Sequence, residues 1–161
     1  MGVKGNAILG LITLAAFIGC VLMAQAQESQ VDYDGFVDLS AEISDYRSSR
    51  LVDLDTFNEM KADSDTIILD TRSAEAYRLG HIDGAAHLNF SDFTDDKLAQ
   101  LIPSKDTRIL IYCNNNFTDN VAPVPVKRIE LALNVPTFIN LYGYGYENIY
   151  ELDGAYPLAE P

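Results

Sequence analysis

The chain has 161 residues with 11 basic and 24 acidic side chains, a net charge of −13. Such a surface repels nucleic acid and anionic lipid, so binding to either is not expected, and it gives an anionic substrate no long-range help. With two cysteines, Cys20 and Cys113, and two histidines, His81 and His87, a metal centre of Cys and His ligands is not expected, because structural zinc takes four ligands.

The chain opens with Lys4, an apolar run over residues 7–23 and then Ala24-Gln25-Ala26. A basic end, an apolar core and small residues flanking a cut are the order of a secretory signal, so residues 1–26 are assigned as a signal peptide cleaved after Ala26. The protein is then periplasmic or secreted. The run is slightly long for a signal and slightly short for a span, so an uncleaved membrane anchor is the alternative. Phe17-Ile18-Gly19-Cys20 resembles a lipoprotein box, but Val21-Leu22-Met23 replaces the polar tether that follows a lipidated cysteine. Cleavage leaves Cys113 as the only thiol, unable to form an internal disulfide and therefore buried, reactive or paired with another molecule.

Residues 27–49 read as a polar lead-in carrying one amphipathic helix, with Phe36, Leu39, Ile43 and Tyr46 at spacings of three and four. Leu51-Val52 is a short first strand. Thr56 and Glu59 have capping-box spacing for a helix to about Ala62. Residues 66–70 form a second, buried strand. Ser73 caps a helix over 74–79, with Glu75 on its dipole and Gly80 as its terminator. Residues 85–88 are a third strand, and a helix over 95–101 stops before Pro103. Residues 108–112 are the fourth strand, apolar on both faces as in a parallel sheet covered by helices. A last helix over 136–144 precedes a fifth strand over 148–152. This alternation predicts an α/β fold, a five-stranded parallel sheet with helices on both faces. Cys113 lies just past the carboxyl end of the fourth strand, where open α/β sheets hold ligands. Asn114, Asn115 and Asn116 read as a tight turn, since asparagine tolerates left-handed backbone angles.

These residues resemble the rhodanese-like domain over 50–158. Ile68-Leu69-Asp70-Thr71-Arg72 looks like that family's strand-end Asp-x-Arg motif. Residues 77–85, with Gly80-His81-Ile82-Asp83-Gly84-Ala85, match its Gly-His-Ile-x-Gly-Ala signature. Residues 109–113 match the strand delivering the active cysteine, and 141–154 match the closing helix and strand. The resemblance implies that Cys113 takes sulfane sulfur from a donor such as thiosulfate, holds it as a persulfide and passes it to a thiol or cyanide. Backbone amides of the loop Asn114, Asn115, Asn116, Phe117 and Thr118 would favour the thiolate. No cofactor is implied, and the partners are a small sulfur donor and a thiol acceptor.

The loop departs from the family pattern. Glycine three residues after the cysteine is Asn116, and the basic residue five after is Thr118. Asp119 next to it is expected to push the thiol pKa up. The segment from Cys113 to Gly145 is longer than the roughly 20 residues one loop and one helix need. Its surplus, with Pro123 and Pro125 in an extended stretch and a short helix after Lys127-Arg128, is expected to fold over the cysteine, where Lys127 or Arg128 replaces the missing charge. Asp70 and Arg72 are expected to pair and fix the strand end, and His81 to bond neighbouring backbone. Tyr142, Tyr144 and Tyr146 are expected in core or rim packing. Two readings result: an exported sulfurtransferase-like protein, with thiosulfate sulfurtransfer the candidate activity, or a non-catalytic binding or sensing module with a rebuilt loop. A cysteine phosphatase needs arginine six residues after the cysteine, and Asp119 stands there.

Overall fold

The computed structural model describes residues 29–161, so the expected signal peptide and its cleavage after Ala26 lie outside the described residues. Within the unit Asp32–Pro161, the strands are β1 (Leu51–Val52), β2 (Thr66–Asp70), β3 (Ala86–His87), β4 (Arg108–Tyr112) and β5 (Ile149–Leu152). They form one sheet in the order β1-β5-β4-β2-β3, and every pairing is parallel. The central β4 is in register with β2 from Thr66 opposite Arg108 to Asp70 opposite Tyr112.

Successive β4 side chains point to opposite faces, and both faces are covered. Ile109 and Ile111 pack with Leu69 under α5 (Asp95–Leu101) and α6 (Asn134–Gly143), among Leu98, Phe138 and Leu141. Leu110 and Tyr112 pack on the other face with Ile68, Ile82 and Phe57 of α3 (Leu54–Lys61). The predicted α/β architecture therefore stands, with its most apolar strand buried in the middle.

Several local expectations shift. The single lead-in helix is two, α1 (Tyr33–Glu42) and α2 (Ser44–Ser48), meeting at Ile43, which is buried on the α6 face. Helix α3 starts earlier than Thr56, because the Asp53 carboxylate accepts from the Thr56 amide at 2.9 Å and takes over as cap. Ser73 does cap α4 (Ala74–Leu79), accepting from Ala76 N. Helix α6 begins at Asn134, so Pro136 falls in its first turn, where the missing N–H has no intrahelical partner to lose. The short helix expected after Lys127-Arg128 is a single 3₁₀ turn, Ile129–Leu131.

Gly80 ends α4 for a different reason from the one expected. Its φ of 168° is extended backbone, not left-handed. A β-carbon there would lie 2.4 Å from Cδ2 of Leu158, so a side chain at this position has to push aside the leucine tip from the chain's C-terminal segment. Gly80→Ala is expected to lower stability by about 1 kcal/mol, the low end for overpacking, because the leucine tip can turn away. In a Leu158→Ala background that cost should largely vanish, as urea denaturation of the four-member cycle would show.

Candidate active site

The site grows from the carboxyl ends of two adjacent strands. Asp70 ends β2 fully buried, and Arg72 follows, 2% exposed. Burying these charges is tolerable only because each is paired and hydrogen-bonded. Arg72 places Nε 3.0 Å from both Asp70 oxygens and Nη2 2.6 Å from Oδ2. Nη2 also donates to Gly80 O at 2.6 Å. At the end of β4 the Tyr112 hydroxyl donates to Asp70 Oδ2 at 2.6 Å. Burial first, and then the Asp70 charge, push the Tyr112 hydroxyl far above its ordinary range. The guanidinium lies over the rings of Tyr112 and Phe117, 5.0 and 5.4 Å from their centroids. Its Nη1 reaches Asn114 Oδ1 at 3.2 Å and so ties this knot to the cysteine loop.

In that loop Cys113 is extended and Asn114–Asn116 form a 3₁₀ turn. The described residues contain no non-glycine residue with positive φ, so the asparagines are not there for left-handed geometry. They are there for their amides. Asn116 Oδ1 accepts from Cys113 N at 2.9 Å and from Asn134 Nδ2 at 3.0 Å, while its Nδ2 donates to Leu152 O and Gly154 O. Asn115 clamps the backbone of Lys127, donating to its carbonyl at 2.7 Å and accepting from its amide at 3.1 Å. Asn114 Nδ2 donates to Pro125 O at 2.9 Å. The proline-bearing insertion is thus laced down beside the cysteine by side-chain amides.

Cys113 is met by backbone amides from two separate chain segments, those of Asn115 and of Leu133 and Asn134, whose hydrogen bonding lowers the thiol pKa. They favour the thiolate. Burial acts against them and is the largest influence; with the charge of Glu151 added, the thiol is pushed above its ordinary value. Cys113 is 1% exposed, yet it lines a cavity of about 250 Å³ together with Thr71, Arg72, Phe90, Pro125, Lys127 and Leu133.

The predicted site residues divide accordingly. Cys113, Asn114, Asn115, Arg72 and Lys127 line one cavity. Asn116 lies beneath it as the hydrogen-bond hub. Phe117 packs edge-on against Tyr112, and Thr118 is exposed, its amide bonded to Tyr156 O. Arg128 is 82% exposed with Glu130 3.9 Å away, so of the two expected cations only Lys127 borders the cavity. Asp119 accepts from Leu158 N at 2.9 Å and borders a different, smaller cavity; the acid acting on the thiol is Glu151 instead. His81 bonds Tyr77 O through Nδ1 at 2.9 Å and stacks on the Tyr77 ring. Tyr142, Tyr144 and Tyr146 do not border the cysteine cavity. Sequence reasoning missed Asn134 and Glu151. A lone carboxylate in the otherwise apolar β5 was the available signal for Glu151, while nothing local marked Asn134.

The profile of the Rhodanese-like domain family matches residues 53–158. A tRNA uridine(34) hydroxylase from Bdellovibrio bacteriovorus is 32% identical over 98 residues, covering 59% of this chain and 23% of that protein. The chain thus spans about a quarter of that relative. Among solved structures, the Alr3790 protein from Anabaena sp. aligns with a TM-score of 0.47 at 22% identity, over 65% of this chain and 71% of that one. The human single-domain sulfurtransferase TSTD1 aligns with a TM-score of 0.47 at 18% identity, over 66% and 91%.

Asn116→Ala would strip partners from Cys113 N, Leu152 O and Gly154 O at once. The expected loss is about 2–5 kcal/mol in chemical denaturation, since each buried group left unpaired costs about 1–3 kcal/mol.

Proposed function

The chain belongs to the rhodanese-like domain family, and from that membership we propose an exported sulfur carrier in which Cys113 holds sulfane sulfur as a persulfide. The observation that carries this reading is a cysteine at the carboxyl end of the central strand that lines a cavity of about 250 Å³ with Arg72, Asn114, Asn115 and Lys127; backbone amides of Asn134, Asn115 and Leu133 favour its thiolate. In the proposed cycle the Cys113 thiolate attacks the outer sulfur of thiosulfate. The sulfur–sulfur bond breaks, sulfite leaves with the bonding pair, and a cysteine persulfide remains. A cyanide ion or an acceptor thiolate then attacks the outer sulfur and releases the Cys113 thiolate. The amides hold the negative sulfur in both resting forms. Lys127 supplies the positive charge at the cavity, because Arg72 is committed to Asp70.

Export rests on the leader, with Lys4, its apolar run and Ala24-Gln25-Ala26. A tRNA substrate does not carry over from the Bdellovibrio relative: the match covers under a quarter of it, and a net charge of −13 opposes a phosphate backbone. The elevated thiol pKa favours the second reading, a binding or sensing module without turnover.

Two measurements separate these. Incubation with thiosulfate should add roughly 32 Da, one sulfur atom, to the intact mass, and cyanide should then yield thiocyanate; Cys113→Ser should do neither. Absence of cysteine-dependent thiocyanate from several sulfur donors would leave the non-catalytic module. The same intact mass reports whether residues 1–26 are removed. Alkylation of Cys113 by iodoacetamide tests the electrostatics. Burial penalises the charged form, so the rate should climb with pH and reach half its plateau above the ordinary cysteine value of about 8.5.

A further inference from the structure

Glu151 is a carboxylate in the buried part of β5, 6% exposed, and such a charge persists only with a partner. Arg47 of α2 supplies it as a two-pronged pair, with Nη2 2.7 Å from Oε1 and Nε 2.8 Å from Oε2. Arg47 precedes the residues matched by the family profile, 53–158, so this partner comes from the lead-in rather than from the matched domain.

The pair is continuous with the cysteine. Glu151 Oε1 accepts from Asn134 Nδ2 at 3.3 Å. The same Nδ2 donates to Asn116 Oδ1, which accepts from Cys113 N. The backbone amide of Asn134 is one of the three that favour the thiolate. Among charged groups facing Cys113, Arg72 is neutralised by Asp70 and Lys127 borders the cavity from an exposed position. Glu151 is the buried acid whose field reaches the sulfur, and Arg47 is its counter-charge.

We propose that Arg47 and Glu151 are positioning residues that set the reactivity of the Cys113 sulfur, Arg47 cancelling the field of Glu151 while Glu151 holds the Asn134 side chain on the Asn116 amide that bonds the cysteine's backbone. The lead-in helices thereby become part of the reactive centre. The proposal needs only the Cys113 thiolate and holds whatever group the cysteine carries.

The two residues make opposite predictions, which a purely structural role does not. Arg47→Met leaves the Glu151 carboxylate uncancelled in the alkaline range where a thiol titrates. It should slow iodoacetamide alkylation of Cys113 about three- to tenfold at fixed pH, on the rising limb, and move the pH profile upward. Glu151→Gln removes the anion, keeps an acceptor for Asn134 and leaves Arg47 nearby. It should speed alkylation by a similar factor and move the profile downward. Arg47→Lys keeps the charge and should restore most of the wild-type profile. Shifts in the same direction for Arg47→Met and Glu151→Gln, or changes under twofold in both, would overturn the proposal. Circular dichroism checks each fold. Should one single variant not fold, the other decides alone: a shift of its profile in the stated direction supports the proposal, and no shift or a shift the other way overturns it. Because no sulfur donor is used, failure here is distinct from failure of persulfide transfer.

Discussion

The fold's functional end depends on the fully buried carboxylate of Asp70. Arg72 and Tyr112 both bond to it, one from the residue after next and one from the neighbouring strand. Each group is intolerable alone in that environment, and breaking such a pair costs about 3–5 kcal/mol. Together they lock the ends of β2 and β4, and through Asn114 they hold the loop that carries Cys113. The guanidinium is so fully engaged that it contributes little free charge to the cavity it borders.

A tension between hydrogen bonding and burial follows at the sulfur. Three amides favour negative charge there, while removal from water and the nearby Glu151 disfavour it. The balance falls on the side of the neutral thiol, which makes every other nearby charge consequential. Lys127 borders the cavity from an exposed position, and Arg47 answers Glu151 from beneath. The site therefore takes its charge partners from both the insertion and the lead-in, outside the central strand-and-loop framework.

The insertion's place follows from side-chain amides. Asn114 and Asn115 grip Pro125 and Lys127 through three hydrogen bonds. A stretch poor in apolar residues buried in the core is thereby held against the cavity without a helix of its own. Asn116 does the complementary task, joining the cysteine's amide to the carbonyls of Leu152 at the end of β5 and Gly154 just beyond it.

The strands, their order of appearance and the covering helices could be read from the amino-acid sequence, because unbroken apolar runs such as Ile109-Leu110-Ile111 and caps such as Ser73 act over a few neighbouring residues. The Asp70–Arg72 pair could be read for the same reason, its members being two residues apart. What only tertiary structure decided was which distant groups meet. Asp119, near Cys113 in the chain, turns to Leu158, whereas Glu151, remote from it in the chain and paired with Arg47, is the acid whose charge reaches the thiol. The asparagines were read by backbone preference, yet side-chain amide bonding sets their roles. Propensity and periodicity are local, while burial, Coulomb fields and amide networks depend on distances that exist only once the sheet has assembled.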